Sequence, residues 1–320
     1  MRRVVALLAA ALLLAGLAGC GGSGAEPGAP QGATLVLDFT PNAVHTGIYA
    51  ARRQGFYRQA GIDLTVRQPG ESTDAPKLLE AGRTDFAILD IHDLGIARER
   101  GLGLVGVMPI VQRPLAAVIA RGEGPVRRPR ELAGNTVGVT GLPSDEAVVN
   151  SEVSADGGDP AKVKRVAIGF DAVAALAAGK VDAVTGFWNA EGVALRRRGV
   201  PVRIFRVDRY GAPPYPELIL TTSRRTLAQN PKLVASMVAA TSRGYQFTVR
   251  HPSRALSDLI AEVPSLERAD ERAQLKTLLP ILSPRPFNYG VLSRWARWDV
   301  DHGILRREPA VRSLFRAPGG

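Results

Sequence analysis

Apolar positions along the chain fall into three regimes. From Val4 to Ala15 they run unbroken, built of Val, Ala and Leu; from residue 21 to 32 only small residues, Gly, Pro and Ala dominate; from 33 onward short β-rich runs alternate with amphipathic stretches. The first run follows Met1-Arg2-Arg3 and leads into Leu17-Ala18-Gly19-Cys20. A positive start, a short apolar stretch and small residues before a cut site have the form of a secretory signal over 1–20. The run is too short for a bilayer span, which needs about 20 residues. Cys20 stands where bacterial lipoprotein signals carry the lipidated residue, so the expectation is a lipid-anchored chain on the outer face of the cell membrane. Residues 21–32 then form a flexible tether with nothing to bury.

Beyond the tether the pattern predicts alternating strands and helices. Thr34 to Phe39 is a β-rich run broken by Pro41-Asn42, and His45 to Ala60 predicts a helix closed by Gly61. Ile62 to Arg67 follows as a strand, Ser72 to Ala81 as a helix with Gly82 as its cap, and Asp85 opens the strand Phe86 to Leu89. This alternation is the signature of parallel sheets in an α/β fold. The unit then returns. Leu79-Glu80-Ala81-Gly82-Arg83-Thr84-Asp85-Phe86-Ala87 matches Leu176-Ala177-Ala178-Gly179-Lys180-Val181-Asp182-Ala183-Val184: helix end, Gly cap, basic residue, Asp, strand. Two copies in two halves predict two lobes of similar topology. The strands Leu115 to Ala120 and Glu217 to Thr221 are the expected crossovers, giving lobe one at 33–120 plus 221–320 and lobe two at 121–220. From Arg224 the pattern turns helical, with Pro231 to Val249 as one long amphipathic helix.

Size and charge sharpen this picture. The roughly 290 residues after the tether exceed what one core usually holds. The net charge of +11 comes from scattered residues, and only six of the 41 basic positions are lysine, so a solvated surface bias explains it. No aromatic residues interleave with Arg127-Arg128-Pro129-Arg130 or Arg196-Arg197-Arg198 as single-strand recognition needs, and nucleic acid is not an expected partner. Cys20 is the only cysteine, which leaves the folded part without disulfides or thiolate metal sites.

In open α/β sheets ligands sit beyond the carboxyl ends of strands. Those ends supply Asp38-Phe39-Thr40-Pro41-Asn42-Ala43-Val44-His45, Asp90-Ile91-His92-Asp93, Thr140-Gly141-Leu142-Pro143-Ser144-Asp145-Glu146 and Phe187-Trp188-Asn189-Ala190-Glu191. The candidate ligand residues are Asp38, Phe39, Asn42, His45, Asp90, Thr140, Ser144, Trp188 and Glu191. Aromatic faces, amides and a carboxylate suit a flat heteroaromatic ring bearing N–H donors, with Trp188 or Phe39 stacking and Glu191 accepting from a ring amine. Enzyme signatures are missing: no Gly-x-Ser-x-Gly elbow, no His-Glu-x-x-His, no phosphate loop. The four histidines are not spaced as metal ligands, and no catalytic residue, metal or cofactor is expected.

From Leu37 to about Pro284 the chain resembles the ThiY-type solute-binding proteins, which carry pyrimidine precursors of thiamine. Leu37-Asp38-Phe39-Thr40-Pro41-Asn42-Ala43-Val44-His45-Thr46-Gly47 is similar to that family's opening Leu-Asp-Trp-Thr-Pro-Asn-x-x-His-Thr-Gly. Gly55-Phe56-Tyr57, Gly61-Ile62, Pro69-Gly70, Gly157-Gly158-Asp159-Pro160, Ile168-Gly169-Phe170-Asp171 and Gly244-Tyr245 extend the likeness. It implies a type II periplasmic-binding fold, two lobes closing on a ligand, a monomer and a cognate ABC permease. It also implies that Asn42 and His45 lie near the ligand, that Glu191 pairs with an aminopyrimidine edge and that Trp188 stacks. Phe39 replaces the motif Trp, Ala190 stands where the family has Trp, Asp90-Ile91-His92 replaces a more polar segment, and Leu142 replaces a small polar residue. These departures leave room for a larger ring such as a flavin. Relatives that carry sulfonates or nitrate are a further alternative, and pyrimidine synthases of the same superfamily are an enzymatic one. The export signal and the lack of a cysteine cluster separate the chain from the latter.

Overall fold

The computed structural model describes residues 29–70, 74–282 and 284–317. The signal segment, Cys20 and all but the last residues of the tether lie outside them. Ten strands build two sheets: β1 (Gln31–Val36), β2 (Ile62–Arg67), β3 (Phe86–Asp90), β4 (Leu104–Pro109), β5 (Ala116–Arg121), β6 (Thr136–Val139), β7 (Lys164–Ala167), β8 (Ala183–Phe187), β9 (Val202–Arg206) and β10 (Leu218–Ser223). The first has the order β2-β1-β3-β10-β4 and the second β7-β6-β8-β5-β9. Central strands covered on both faces need continuous apolar runs. Accordingly every residue of central strand β10 is buried; of the two edge strands, β4 is also buried throughout, whereas β2 alternates Ile62 and Leu64 inward with Asp63 and Thr65 outward.

The repeated sequence unit has a structural cause. Gly82 and Gly179 both adopt left-handed backbone (φ +67° and +68°), a conformation glycine takes without steric cost. In each copy the residue after the glycine donates back to the helix, Arg83 N to Leu78 O and Lys180 N to Ala175 O. In each copy the aspartate carboxylate then accepts from the neighbouring strand, Asp85 from Thr34 N (2.8 Å) and Asp182 from Thr136 N (2.9 Å). The same stop-and-pair device thus seats β3 beside β1 and β8 beside β6.

Several expected boundaries move. β5 pairs antiparallel with β8 and β9, so Ala116–Ala120 belong to the second sheet and the first crossing falls at 110–115. β10 pairs antiparallel with β3 and β4, which puts Leu218–Leu220 in the first sheet. β1 begins at Gln31, inside the expected tether, because parallel backbone pairing with Ile62 and Asp63 is indifferent to side-chain polarity. The helix expected over His45 to Ala60 is two, Thr46–Arg53 and Phe56–Gln59, broken where Gly55 turns left-handed (φ +72°).

Helix Pro231–Arg250 packs across helix Thr46–Arg53 at Gly47 and Gly244. A Cβ on Gly244 would lie 2.0 Å from the Gly47 carbonyl oxygen, and one on Gly47 would strike the Tyr245 ring at 2.5 Å. Tyr245 Oη donates to Val44 O (2.9 Å), which fixes the turn that carries Asn42 and His45. No helix among the described residues is long and apolar enough to cross a membrane.

Candidate functional site

The carboxyl ends of β1 and β3 face those of β6 and β8 across a cavity of about 360 Å³. Seven candidate residues line it: Asp38, Phe39, Asn42, Asp90, Thr140, Ser144 and Glu191. Two do not. His45 is 1% exposed and stands behind the wall. Trp188 turns away from the cavity, its Nε1 donating to Pro114 O (3.1 Å) and the Arg206 guanidinium lying 4.2 Å from its ring centre. Its backbone N–H also holds Leu115 O (3.0 Å), so this ring packs on the crossing segment instead of offering a stacking face.

His45 acts on Asp38 from behind. Its Nδ1 accepts from Asn42 N (3.1 Å), which leaves the proton on Nε2 to donate to Asp38 Oδ1 (2.9 Å). Asn42 Oδ1 in turn accepts from Val44 N (3.0 Å) and caps the short turn Ala43–His45. The opening motif is therefore a scaffold that aims one carboxylate.

The other acids of the cavity are anchored likewise. Glu191, first residue of helix Glu191–Arg197, accepts from Phe187 N through Oε2 (2.7 Å). Burial pushes its carboxyl up, the Phe187 N–H pulls it back, and the charge of Asp38 raises it again. Asp90 Oδ1 accepts from His92 N (2.7 Å), and Asp145 Oδ2 accepts from Thr140 N (2.7 Å) and Oγ1 (2.5 Å). Asp93 Oδ1 accepts from Ser144 Oγ (3.3 Å), a bond that crosses between the lobes. Burial raises Asp90 and Asp93 well above the usual carboxylate range, with Glu217 adding to the first and Asp90 to the second. Asp145 is raised chiefly by burial. Five carboxyl groups thus crowd one cavity, and the cations on its lining, Lys77 and Arg100, are both exposed at its rim. Such a site disfavours anionic rings and favours a ligand rich in N–H donors.

Aromatic closure pairs the expected Phe39 with a ring that residue patterns alone did not single out. Phe39 meets Phe170 edge to face, with centroids 4.4 Å apart at 75°, one ring from each lobe. Phe187 adds a third lining ring. Phe170 lies in Ile168-Gly169-Phe170-Asp171, a stretch that resemblance alone had marked. Asp93 and Asp145 were within the loops named as strand ends, but no spacing rule set them apart from ordinary first-turn helix acids.

Beneath the cavity a buried polar network reaches the crossing segment. Glu217 accepts from Leu115 N and from Ala116 N (3.0 Å), where the chain leaves the first sheet for the second. Burial alone would lower the His92 imidazole, but Asp299, 2.9 Å from Nδ1, outweighs it and raises the group to about 10. Asp90, His92 and Glu217 bring donor atoms within 4.8 Å of one another. Trp295 Nε1 also donates to His92 Nδ1 (3.1 Å), so this buried set ties helix Tyr289–Asp301 to the crossing segment.

The similarity to known proteins follows the same geometry. The family model described as NMT1/THI5 like matches residues 42–255, from the capping Asn42 to beyond the packing glycine Gly244. This chain belongs to the NMT1/THI5-like family. A formylaminopyrimidine-binding protein of Halalkalibacterium halodurans is 31% identical over 98% of this chain and 97% of its own length. A 4-amino-5-hydroxymethyl-2-methylpyrimidine phosphate synthase of Legionella pneumophila is 25% identical over 78% of this chain and 79% of its own. Among solved structures, the alkanesulfonate-binding protein SsuA from Xanthomonas axonopodis has a TM-score of 0.75 at 16% identity, covering 90% of this chain and 99% of that one. The two-lobed α/β fold is therefore that of the type II periplasmic solute-binding proteins, as the resemblance implied.

Proposed function

We propose that this protein is the solute-binding component of an ABC importer. It takes up an amine-bearing heteroaromatic compound, an aminopyrimidine precursor of thiamine first of all, closes its lobes on it and delivers it to a membrane permease. In this reading Cys20 carries the lipid anchor, the tether runs from 21 to the start of β1 at Gln31, and the monomer works on the outer face of the membrane.

The observation that carries the reading is the anchoring of the acids. Asp38 commits Oδ1 to His45 and Glu191 commits Oε2 to Phe187 N, with the Glu191 backbone N–H also on its own carboxyl, and neither carboxyl is bonded to any further residue among those described. An aminopyrimidine offers an exocyclic N–H and a ring nitrogen that accepts or carries a proton, and a pair of carboxyl groups, of which burial raises Glu191, suits both. Phe39 and Phe170 supply the faces that hold a flat ring. The 31% identity to a formylaminopyrimidine-binding protein supports the same ligand class. Ala190, small where a large ring was expected, keeps a flavin-sized ring as the second reading.

Thermal-shift screening of the mature chain against aminopyrimidines, riboflavin and alkanesulfonates tests this. A ligand at a hundredfold excess over its Kd stabilises the native state by about 2.7 kcal/mol. A shift with aminopyrimidines, lost in Glu191→Gln, is the expected result. Turnover of the compound instead of simple binding would move the protein to the synthase class of its enzymatic relatives.

A further inference from the structure

The cavity is longer than a single ring. Its volume of about 360 Å³ is in the range of roughly 300–1,000 Å³ of pockets that hold drug-sized ligands, more than one small substituted ring needs. Its extra length follows helix Ile91–Glu99. Asp93, Ile96, Ala97 and Arg100 all line it, and their spacing of three, one and three places them on one face, the geometry of a straight stripe. At 1.5 Å per residue the stripe from Asp93 to Arg100 is about 10 Å long. The opposite face of the same helix is committed to the core, since a Cβ on Gly95 would meet Trp295 at 3.2 Å.

Beside the stripe the lining is formed by Ala75, Pro76 and Lys77 of helix Asp74–Glu80 and by Leu102, apolar apart from the Lys77 side chain. The far end opens at Arg100, which is exposed and whose guanidinium has no partner among the described residues. Chemistry therefore changes sign over the lining: carboxyl groups at the strand ends, hydrocarbon from Ala75, Pro76, Ile96, Ala97 and Leu102, and the cations Lys77 and Arg100 exposed at the rim.

Resting on the reading of the ring end given above, we propose that the ligand is a two-part molecule, an amine-bearing ring carrying an arm that runs along helix Ile91–Glu99 and ends in an anionic group at Arg100. A phosphate or carboxylate there gains a charge-assisted, two-pronged hydrogen bond from the guanidinium fork. The acids at the other end fix direction, because reversing the molecule would set its anion against Asp38 and Glu191.

Three compounds with the same aminopyrimidine head test this by titration calorimetry on the mature chain: 4-amino-5-hydroxymethyl-2-methylpyrimidine, thiamine and thiamine monophosphate. The monophosphate is expected to bind about tenfold more tightly than thiamine, and Arg100→Gln to bring that ratio close to one. Ala97→Met, which narrows the stripe, is expected to weaken both armed compounds relative to the bare pyrimidine. Melting curves of each variant check that the fold is intact. Equal affinities of thiamine and its monophosphate, or a ratio untouched in Arg100→Gln, would overturn the arm while leaving the ring site standing. Failure of the bare pyrimidine and both armed compounds to bind would overturn the ring reading and this inference with it.

Discussion

At the scale of single residues, the site depends on side chains that never touch the cavity. His45 was expected beside the ligand, and its role is instead to hold Asp38 and to receive the Asn42 N–H. Replacing it by leucine leaves the Asn42 N–H unmet and Asp38 free to rotate. Losing a buried hydrogen-bond partner costs about 1–3 kcal/mol, so His45→Leu is expected to lower stability in urea titration by that amount. It is also expected to weaken ligand binding about tenfold. Glu271 gives a second residue-scale prediction. Burial raises its carboxyl from near 4.5 to about 7, partly offset by the Ala43 N–H. The folded state then holds its proton more tightly than the unfolded chain, so stability falls as pH rises from about 4.5 to about 7 and levels off above. The Glu271→Gln variant should be stabilised by roughly 2–3 kcal/mol relative to wild type at pH 8 and little changed at pH 4, as read by urea midpoints.

The Asp38–His45 pairing shows how far residues could be read ahead. The motif placed both side chains at a strand end, and both are there. What it could not show is which one faces the ligand, because a backbone N–H decides the tautomer. Trp188 illustrates the same limit. A tryptophan at a strand end suits stacking or packing equally, and only Pro114 O and Arg206, distant in sequence, choose packing.

At the scale of elements, periodicity carried most of the fold. Ile62–Arg67 was legible to the residue because its alternation is strict, and the twice-used Gly-basic-x-Asp junction is an actual repeat of hydrogen bonds. Boundaries were lost where backbone pairing or a glycine conformation rules. Gln31 and Gly32 join β1 without any apolar signal, and Gly55 splits a helix whose side chains predict continuity. The sheet to which Ala116–Ala120 belong was not legible, since an antiparallel strand between two halves can join either. Gly244 is the element-scale test. With its Cβ position 2.0 Å from a carbonyl oxygen, Gly244→Ala must force apart helices Thr46–Arg53 and Pro231–Arg250. A loss of about 1–3 kcal/mol is expected in chemical denaturation, whereas Gly32→Ala, with open space around it, should change little.

At the scale of the whole molecule, function rests on two lobes held in register over a cleft. Contacts between them flank the cavity: Phe39 on Phe170, Asp93 with Ser144, and Arg197 with Asp270. The last is largely exposed, and surface ion pairs contribute about 0–1 kcal/mol. Removing it with Arg197→Ala should change ligand affinity less than about fivefold, which calorimetry can check. Under the proposed function, closure is driven by ligand bridging the two halves, since Asp38 and Asp90 belong to one and Thr140 and Glu191 to the other. A ligand shifts such an equilibrium only by the difference in its affinity for the open and closed forms.

The central claim is that paired acids from opposite lobes bind an amine-bearing ring. Titration calorimetry of the mature chain with 4-amino-5-hydroxymethyl-2-methylpyrimidine tests it most directly, run on wild type and on the Asp38→Asn, Glu191→Gln double variant. The account predicts one saturable site in the wild type, unchanged compound recovered afterwards, and affinity at least about tenfold lower in the double variant. No saturable binding, or equal affinity in both proteins, would contradict it.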